Sequence, residues 1–210
     1  LGSASAITTG NEVIQINGNI TGGGYNLTLI SGSGATTVSG NAMGLGDVTL
    51  QNATATGTVS FNGNFEAAAL ITSAGPHNIS LTGNTTTVTN AVTFNNTGLV
   101  TLGNAASDTI TFTGGITHTA GNTSLGGALS TVNQPVSFAD FTLTSASGIS
   151  TGAAPDGNTI SISGNITGAN NSLSLTGTTI TLGGICTALG NVTITNSAVF
   201  TLADASGITH

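Results

Sequence analysis

Apolar and hydroxyl residues alternate along most of the chain. The recurring unit is an apolar residue, then Thr or Ser, then a second apolar residue, as in Val59-Ser60-Phe61 and Ile110-Thr111-Phe112. A period of two carried by β-branched and aromatic residues predicts a strand with one buried face. Pairs such as Asn-Gly, Gly-Asn and Gly-Gly separate these units and indicate turns. The pattern therefore predicts an all-β protein.

Two sets of residues recur at fixed intervals. One set consists of four valines that each open such a strand. The first three of these valines follow one another at steps of 44 residues, and the fourth lies 56 residues after the third. An Asn or Asp lies four residues after each opener, and Asx side chains favour turns because they bond the nearby backbone. The predicted core strand openers are Val48, Val92, Val136 and Val192. The predicted structural turn ladder is Asn52, Asn96, Asp140 and Asn196.

Longer segments also repeat. Residues 14–29 and 160–175 are identical at nine of 16 positions, and residues 92–105 resemble residues 192–205. Fixed periods of this kind indicate stacked units that share one core. We therefore predict a parallel β-solenoid with about 22 residues per coil, forming a single continuous segment over residues 1–210 of a longer repetitive chain. The alternative is a series of tandem β-sandwich domains, which the short 44-residue step disfavours.

Composition narrows the function classes. The 210 residues include no Lys or Arg and seven acidic residues, for a formal net charge of −7. Nucleic-acid binding is disfavoured because no cation is available to face phosphate. No apolar run approaches the ~20 residues of a spanning helix, so we expect no membrane insertion. With 38% hydrophobic residues, the chain is also too apolar for a typical disordered segment.

Two segments carry a family resemblance. Thr101–Gly115 (TLGNAASDTITFTGG) and Ile160–Leu175 (ISISGNITGANNSLSL) resemble the β-strand repeats of filamentous-haemagglutinin-like and autotransporter-passenger surface proteins of bacteria. The resemblance implies a right-handed β-helix, export to the cell surface, and an adhesive or structural role. The chain departs from these proteins in lacking Lys and Arg altogether, and the export route stays open.

The residues that could carry chemistry are few and scattered. Asp140 aligns with Asn96 in the 44-residue step, which indicates that turn geometry rather than charge is required. Two acids about 5–9.5 Å apart would suit glycoside hydrolysis, but without a cation to stabilise an anion we expect no enzyme and no catalytic residue. We predict that Cys186 is a buried apolar residue, that His118 lies on the surface and that His77 lies in a loop.

These observations favour a non-catalytic structural segment of an extracellular fibre, sheath or adhesin stalk. Its expected partner is itself or a neighbouring segment, joined end to end or laterally, and its expected location is extracellular or on the cell surface. No cofactor is expected, with weak calcium binding as an alternative. Two other functions stay open. One is an adhesin for carbohydrate or a cell surface, using a loop at Gly152–Gly157 or Gly183–Leu189. The other is an ice-binding solenoid using Thr85–Thr89.

Overall fold

The computed structural model describes residues 1–51, 57–152, 157–195 and 197–202, and every regular element in these ranges is a β-strand. The alternation predicts this result: in Val59-Ser60-Phe61 the outer two residues are buried and the central one faces outward. The strands are β1 (Ser5–Thr8), β2 (Ile14–Ile16), β3 (Ile20–Thr21), β4 (Leu27–Ile30), β5 (Thr36–Val38), β6 (Ala42–Gln51), β7 (Thr58–Phe61), β8 (Phe65–Thr72), β9 (Asn78–Leu81), β10 (Thr85–Val88), β11 (Val92–Thr93), β12 (Val100–Leu102), β13 (Thr109–Phe112), β14 (Ile116–His118), β15 (Thr123–Leu125), β16 (Ala128–Ser130), β17 (Val136–Phe138), β18 (Phe141–Leu143), β19 (Ser147–Ser150), β20 (Thr159–Ile162), β21 (Ile166–Thr167), β22 (Leu173–Thr176), β23 (Thr179–Leu182), β24 (Cys186–Thr187), β25 (Val192–Thr195) and β26 (Val199–Leu202).

The described strands pair in parallel with strands one coil away. The shortest coil brings Thr123 opposite Phe141, and the longest brings Ser147 opposite Leu173. The chain forms a β-solenoid of about 9 coils with roughly 21 residues per coil, which confirms the predicted fold class. Sandwich domains are built from antiparallel strands, so the alternative of tandem β-sandwiches is wrong. The right-handed sense stays a prediction.

Each coil contributes strands to three faces. By hydrogen bonding, the strands form three sheets: an 11-stranded sheet in the order β1-β4-β6-β8-β10-β13-β16-β19-β22-β25 with β3 paired to β6, a 6-stranded sheet in the order β11-β14-β17-β20-β23-β26, and a 9-stranded sheet in the order β2-β5-β7-β9-β12-β15-β18-β21-β24. We name the faces by position within the coil. The first face contains β1, β4 and the 6-stranded sheet, the second face is the 9-stranded sheet, and the third face contains β3, β10, β13, β16, β19, β22 and β25. The long strands β6 and β8 run along the third face and then the first: the start of β6 pairs with β3 and its end with β4. Hydrogen bonds from Asn95 to Thr72 connect β8 to the first-face strands that follow.

The core is a set of apolar columns inside the three faces. Phe61 and Phe65 meet edge to face, with ring centroids 4.7 Å apart, and Phe138 stacks on Phe141 at 5.2 Å. Burial of apolar surface stabilises the fold by about 25 cal/mol per Å². One inward column of the first face consists of Leu27, Val48, Leu70, Val92, Ile116, Val136, Ile160 and Ile180.

The repeated segments occupy different faces. Residues 14–29 lie successively on the second, third and first faces, whereas residues 160–175 lie on the first, second and third. The offset of 146 residues therefore corresponds to six coils and two further faces, not to a whole number of coils. Two similar segments therefore lie on different faces of the solenoid.

Candidate functional site

The predicted strand openers are divided between two faces. Val48, Val92 and Val136 are buried on the first face, where Val92 pairs with Ile116 and Ile116 with Val136. The 44-residue step is thus two coils long. Val192 lies on the third face, half-buried and opposite Leu173. The 56-residue step therefore joins two different faces.

The structure does not bring the predicted turn residues together. Asn52 and Asn196 lie outside the described residues. Asp140 is exposed at the corner between the first and second faces, where its carboxylate accepts the Asn165 N–H at 2.8 Å. Asn96 is instead fully buried. The cause is corner length: six residues separate β11 from β12, but only two separate β17 from β18.

A different set of Asn residues forms a ladder at the corner that precedes the third face. The Asn41 N–H donates to Asn19 Oδ1 at 2.9 Å, and the Asn64 N–H donates to Asn41 Oδ1 at 2.9 Å. The next coil continues the ladder, because the Thr85 N–H donates to Asn64 Oδ1 at 3.1 Å. In the sequence, each Asn of this ladder follows a Gly. Glycine is required before the Asn because the coils approach closely there: a Cβ on Gly63 would lie only 2.5 Å from the Gly40 carbonyl oxygen.

The unexpected site is a buried polar cluster formed by Asn96, His118 and Thr123. His118 is 0% exposed, so the prediction that it lies on the surface is wrong. Its Nε2 lies 3.0 Å from the Asn96 carbonyl oxygen, and its Nδ1 lies 2.9 Å from Thr123 Oγ1. A carbonyl oxygen only accepts, so Nε2–H is the donor, and in the neutral ring Nδ1 accepts from the Thr123 hydroxyl. The sequence signal was present, because His118 continues the alternation of Ile116-Thr117.

The surroundings of the cluster connect three coils. The Asn96 side chain donates from Nδ2 to the His77 carbonyl oxygen at 3.0 Å, and His77, in the corner after β8, is also fully buried. Phe94 packs against the His118 ring with centroids 5.9 Å apart. Burial lowers the pKa of His118, and the hydrogen bond to Asn96 opposes that effect only in part.

The two hydrogen bonds of His118 are both made within the cluster. Both ring nitrogens of His118 are engaged and enclosed. Within the described ranges, no group of three or more His, Cys, Asp or Glu side chains could hold a metal ion. The Asp108 carboxylate serves a turn, accepting the N–H groups of Asn104 and Ala105 at 2.8 and 3.0 Å. Cys186 is buried as predicted, and burial raises the pKa of its thiol.

The outer surface carries ladders of hydroxyl groups. Each face has a central outward column that is mostly Ser and Thr, and on the third face two such columns run side by side from β10 to β25. Ala128 and Gly148 interrupt the first of them, and a shallow groove of about 340 Å³ lies at Gly148 beside Ser174 and Thr193. The two columns are Thr85, Thr109, Ala128, Gly148, Ser174, Thr193 and Thr87, Thr111, Ser130, Ser150, Thr176, Thr195.

Comparisons with protein-family models, with curated proteins and with solved structures each gave no match. The resemblance to bacterial surface repeats therefore stays a prediction from the sequence. In the part of the chain that the structure describes, no helix is both long and apolar enough to cross a bilayer.

Proposed function

We propose that this chain is a non-catalytic structural segment of an extracellular or cell-surface fibre, sheath or stalk. The observation that carries the proposal is the continuity of the three parallel ladders, which join about 9 coils into one core. Each coil adds backbone hydrogen bonds and apolar contacts to the next. The outward columns are almost free of charge, so stacked coils avoid placing like charges beside each other.

The partner that fits this design is another set of coils of the same kind. Among the described residues, β1, β2 and β3 pair on one side only, as do β24, β25 and β26. Unpaired strand edges template further pairing. Apolar side chains are exposed near both sets: Val13 is 60% exposed, Val199 is 51% exposed and Phe200 is 43% exposed. The expected partner is the same chain or a neighbouring segment, joined end to end or laterally.

Electron microscopy of the purified chain over a range of concentrations tests this proposal. We expect rods that lengthen in multiples of about 43 Å, the height of nine coils at ~4.8 Å each. Phe200→Asp should stop the lengthening because it places a charge on the exposed apolar end. Thr117→Asp adds the same charge to the outward column of the first face and should leave the lengthening unchanged. Rods that stay single at every concentration would contradict the proposed partner.

The adhesin alternative loses one of its two candidate loops. Within Gly183–Leu189, a Cβ on Gly184 would collide with the Gly164 backbone, while Cys186 and Leu189 are buried. This segment packs onto the preceding coil and does not protrude. Most of the second candidate, Gly152–Gly157, lies outside the described residues.

Ice binding is a second candidate function, because the third face carries a regular grid. Ten of the twelve outward positions in its paired columns are Thr or Ser, and none is charged. Neighbouring coils are ~4.8 Å apart, and residues i and i+2 along a strand are about 6.7 Å apart. A rigid lattice of neutral hydroxyl and methyl groups matches a lattice ligand better than a single flexible molecule.

Thermal hysteresis tests this candidate. Thr111→Tyr places a bulky ring in the third-face grid and should abolish the hysteresis. Thr117→Tyr makes the same change on the first face and should leave it intact. Absence of hysteresis in the unaltered chain would refute ice binding without affecting the fibre proposal.

A further inference from the structure

Register is poorly determined by the apolar pattern of this chain. A strand that slips by two residues still points its apolar side chains inward and its hydroxyls outward. The similar segments 14–29 and 160–175 occupy different faces, so the apolar pattern does not distinguish one face from another. Between β6 and β8, Ala42 pairs with Phe65 but Leu45 pairs with Ala67, so the register shifts by one residue between these two pairs.

The buried polar cluster differs from the apolar columns in requiring one alignment. His118 lies in the inward column between Phe94 and Phe138, and its two hydrogen bonds reach different coils. The Nε2 bond goes to Asn96 of the preceding coil, 22 residues away, and the Nδ1 bond goes to Thr123 of its own coil. A slip of two residues would move His118 by about 6.7 Å along the strand and break the bond to Asn96.

We propose that the cluster of Asn96, His118 and Thr123 fixes the register of β14 on β11 and thereby sets the alignment of the coils on either side. A buried donor or acceptor without a partner costs more than its hydrogen bond contributes. Misaligned states are therefore disfavoured by the unpartnered imidazole and the unpartnered Asn96 carbonyl. Single buried polar residues set register in coiled coils by the same physics.

Disulfide trapping measures the register directly, in a chain that also carries Cys186→Ala. The pair T93C and T117C reports the native alignment, because Thr93 and Thr117 are register partners with outward side chains. The pair T93C and T119C reports a slip of two residues. In the native register these two positions are about 8 Å apart, which is beyond the reach of a disulfide.

The test variant is H118F/T123V, which removes both hydrogen bonds of His118 and replaces the two side chains with apolar residue types found in the same inward columns. Phe94 and Phe138 flank His118, and Val100 pairs with Thr123. We expect the variant to keep its β-sheet circular dichroism while trapping of the slipped pair rises at least tenfold over the parent. The control I160V removes one methylene group from the first-face core and should leave the slipped pair untrapped.

A second variant, H118L/T123V, replaces the ring with a smaller side chain and serves if the Phe variant does not fold. Slipped trapping in either folded variant supports the proposal. Native-only trapping in a folded variant, at the parent's level, overturns it. Equal slipped trapping in I160V also overturns it, because the effect would then follow from lost stability rather than from lost polar bonds.

Discussion

Replacing Asn41 with Ala is expected to weaken the Asn ladder at one defined rung. The substitution removes the acceptor of the Asn64 N–H, a 2.9 Å hydrogen bond, and leaves the bond from the Asn41 N–H to Asn19 intact. A hydrogen bond of this kind contributes about 1 kcal/mol. The corner is exposed at Asn41, so water partly replaces the lost acceptor, and the loss should not exceed about 1.5 kcal/mol.

Asn41→Asp is the matched control, because a carboxylate oxygen accepts the same bond. Asp140 already performs this role in the ladder of another corner, where it accepts the Asn165 N–H at 2.8 Å. Urea unfolding at pH 7 should show a smaller loss for N41D than for N41A. Amide hydrogen exchange should accelerate at Asn64 in N41A, and this local measurement remains valid if the solenoid does not unfold in one step. Equal losses in both variants, or unchanged exchange at Asn64, would refute the acceptor role.

Three buried side chains, those of His118, Cys186 and Phe138, each give a measurable outcome. Burial lowers the pKa of His118 in the folded chain, so below the ordinary histidine pKa of about 6.5 the unfolded chain binds more protons than the folded chain. The free energy of unfolding should therefore decrease as the pH is lowered from 7.5 to 5.5. An equal decrease in a H118F variant would contradict this prediction. Cys186, which is 1% exposed with a raised thiol pKa, should resist iodoacetamide at pH 8 until denaturant is added; rapid labelling of the native chain would show that β24 opens. Phe138→Ala should lower the free energy of unfolding by about 3–5 kcal/mol, because the ring is buried and stacked on Phe141; a loss below 1 kcal/mol in urea titration would mean that this column is not packed.

The strands and the coil length were predictable from the sequence. Alternation is a local property, and residues such as Val92 and Val136 recur at two-coil intervals because each coil must return to the same face. The face on which each strand lies was not predictable from the alternation. Val48 and Val192 open similar short strands, yet Val48 pairs with Leu27 on the first face and Val192 with Leu173 on the third. Alternation marks a strand without marking the face on which the strand lies.

The polar cluster was missed for a different physical reason. A lone His in a polar sequence suggests a solvated residue, but parity along the strand places His118 inward with Ile116. Asn96 shares the parity of Val92, yet the same reasoning fails for Asp140, because a two-residue corner turns the chain before that position. Corner length depends on contacts with adjacent coils, which a single sequence does not show.

Parallel stacking of successive coils fixes the distances along one outward column. Spin labels on Thr28 and, in turn, on Ser137, Ser161 and Thr181 sample the first face at five, six and seven coils from the reference. Pulsed electron paramagnetic resonance should give backbone separations that rise in equal steps of about 4.8 Å, from about 24 to about 34 Å. Separations that fail to increase in this order, as antiparallel hairpins in separate globules would produce, would rule out parallel stacking.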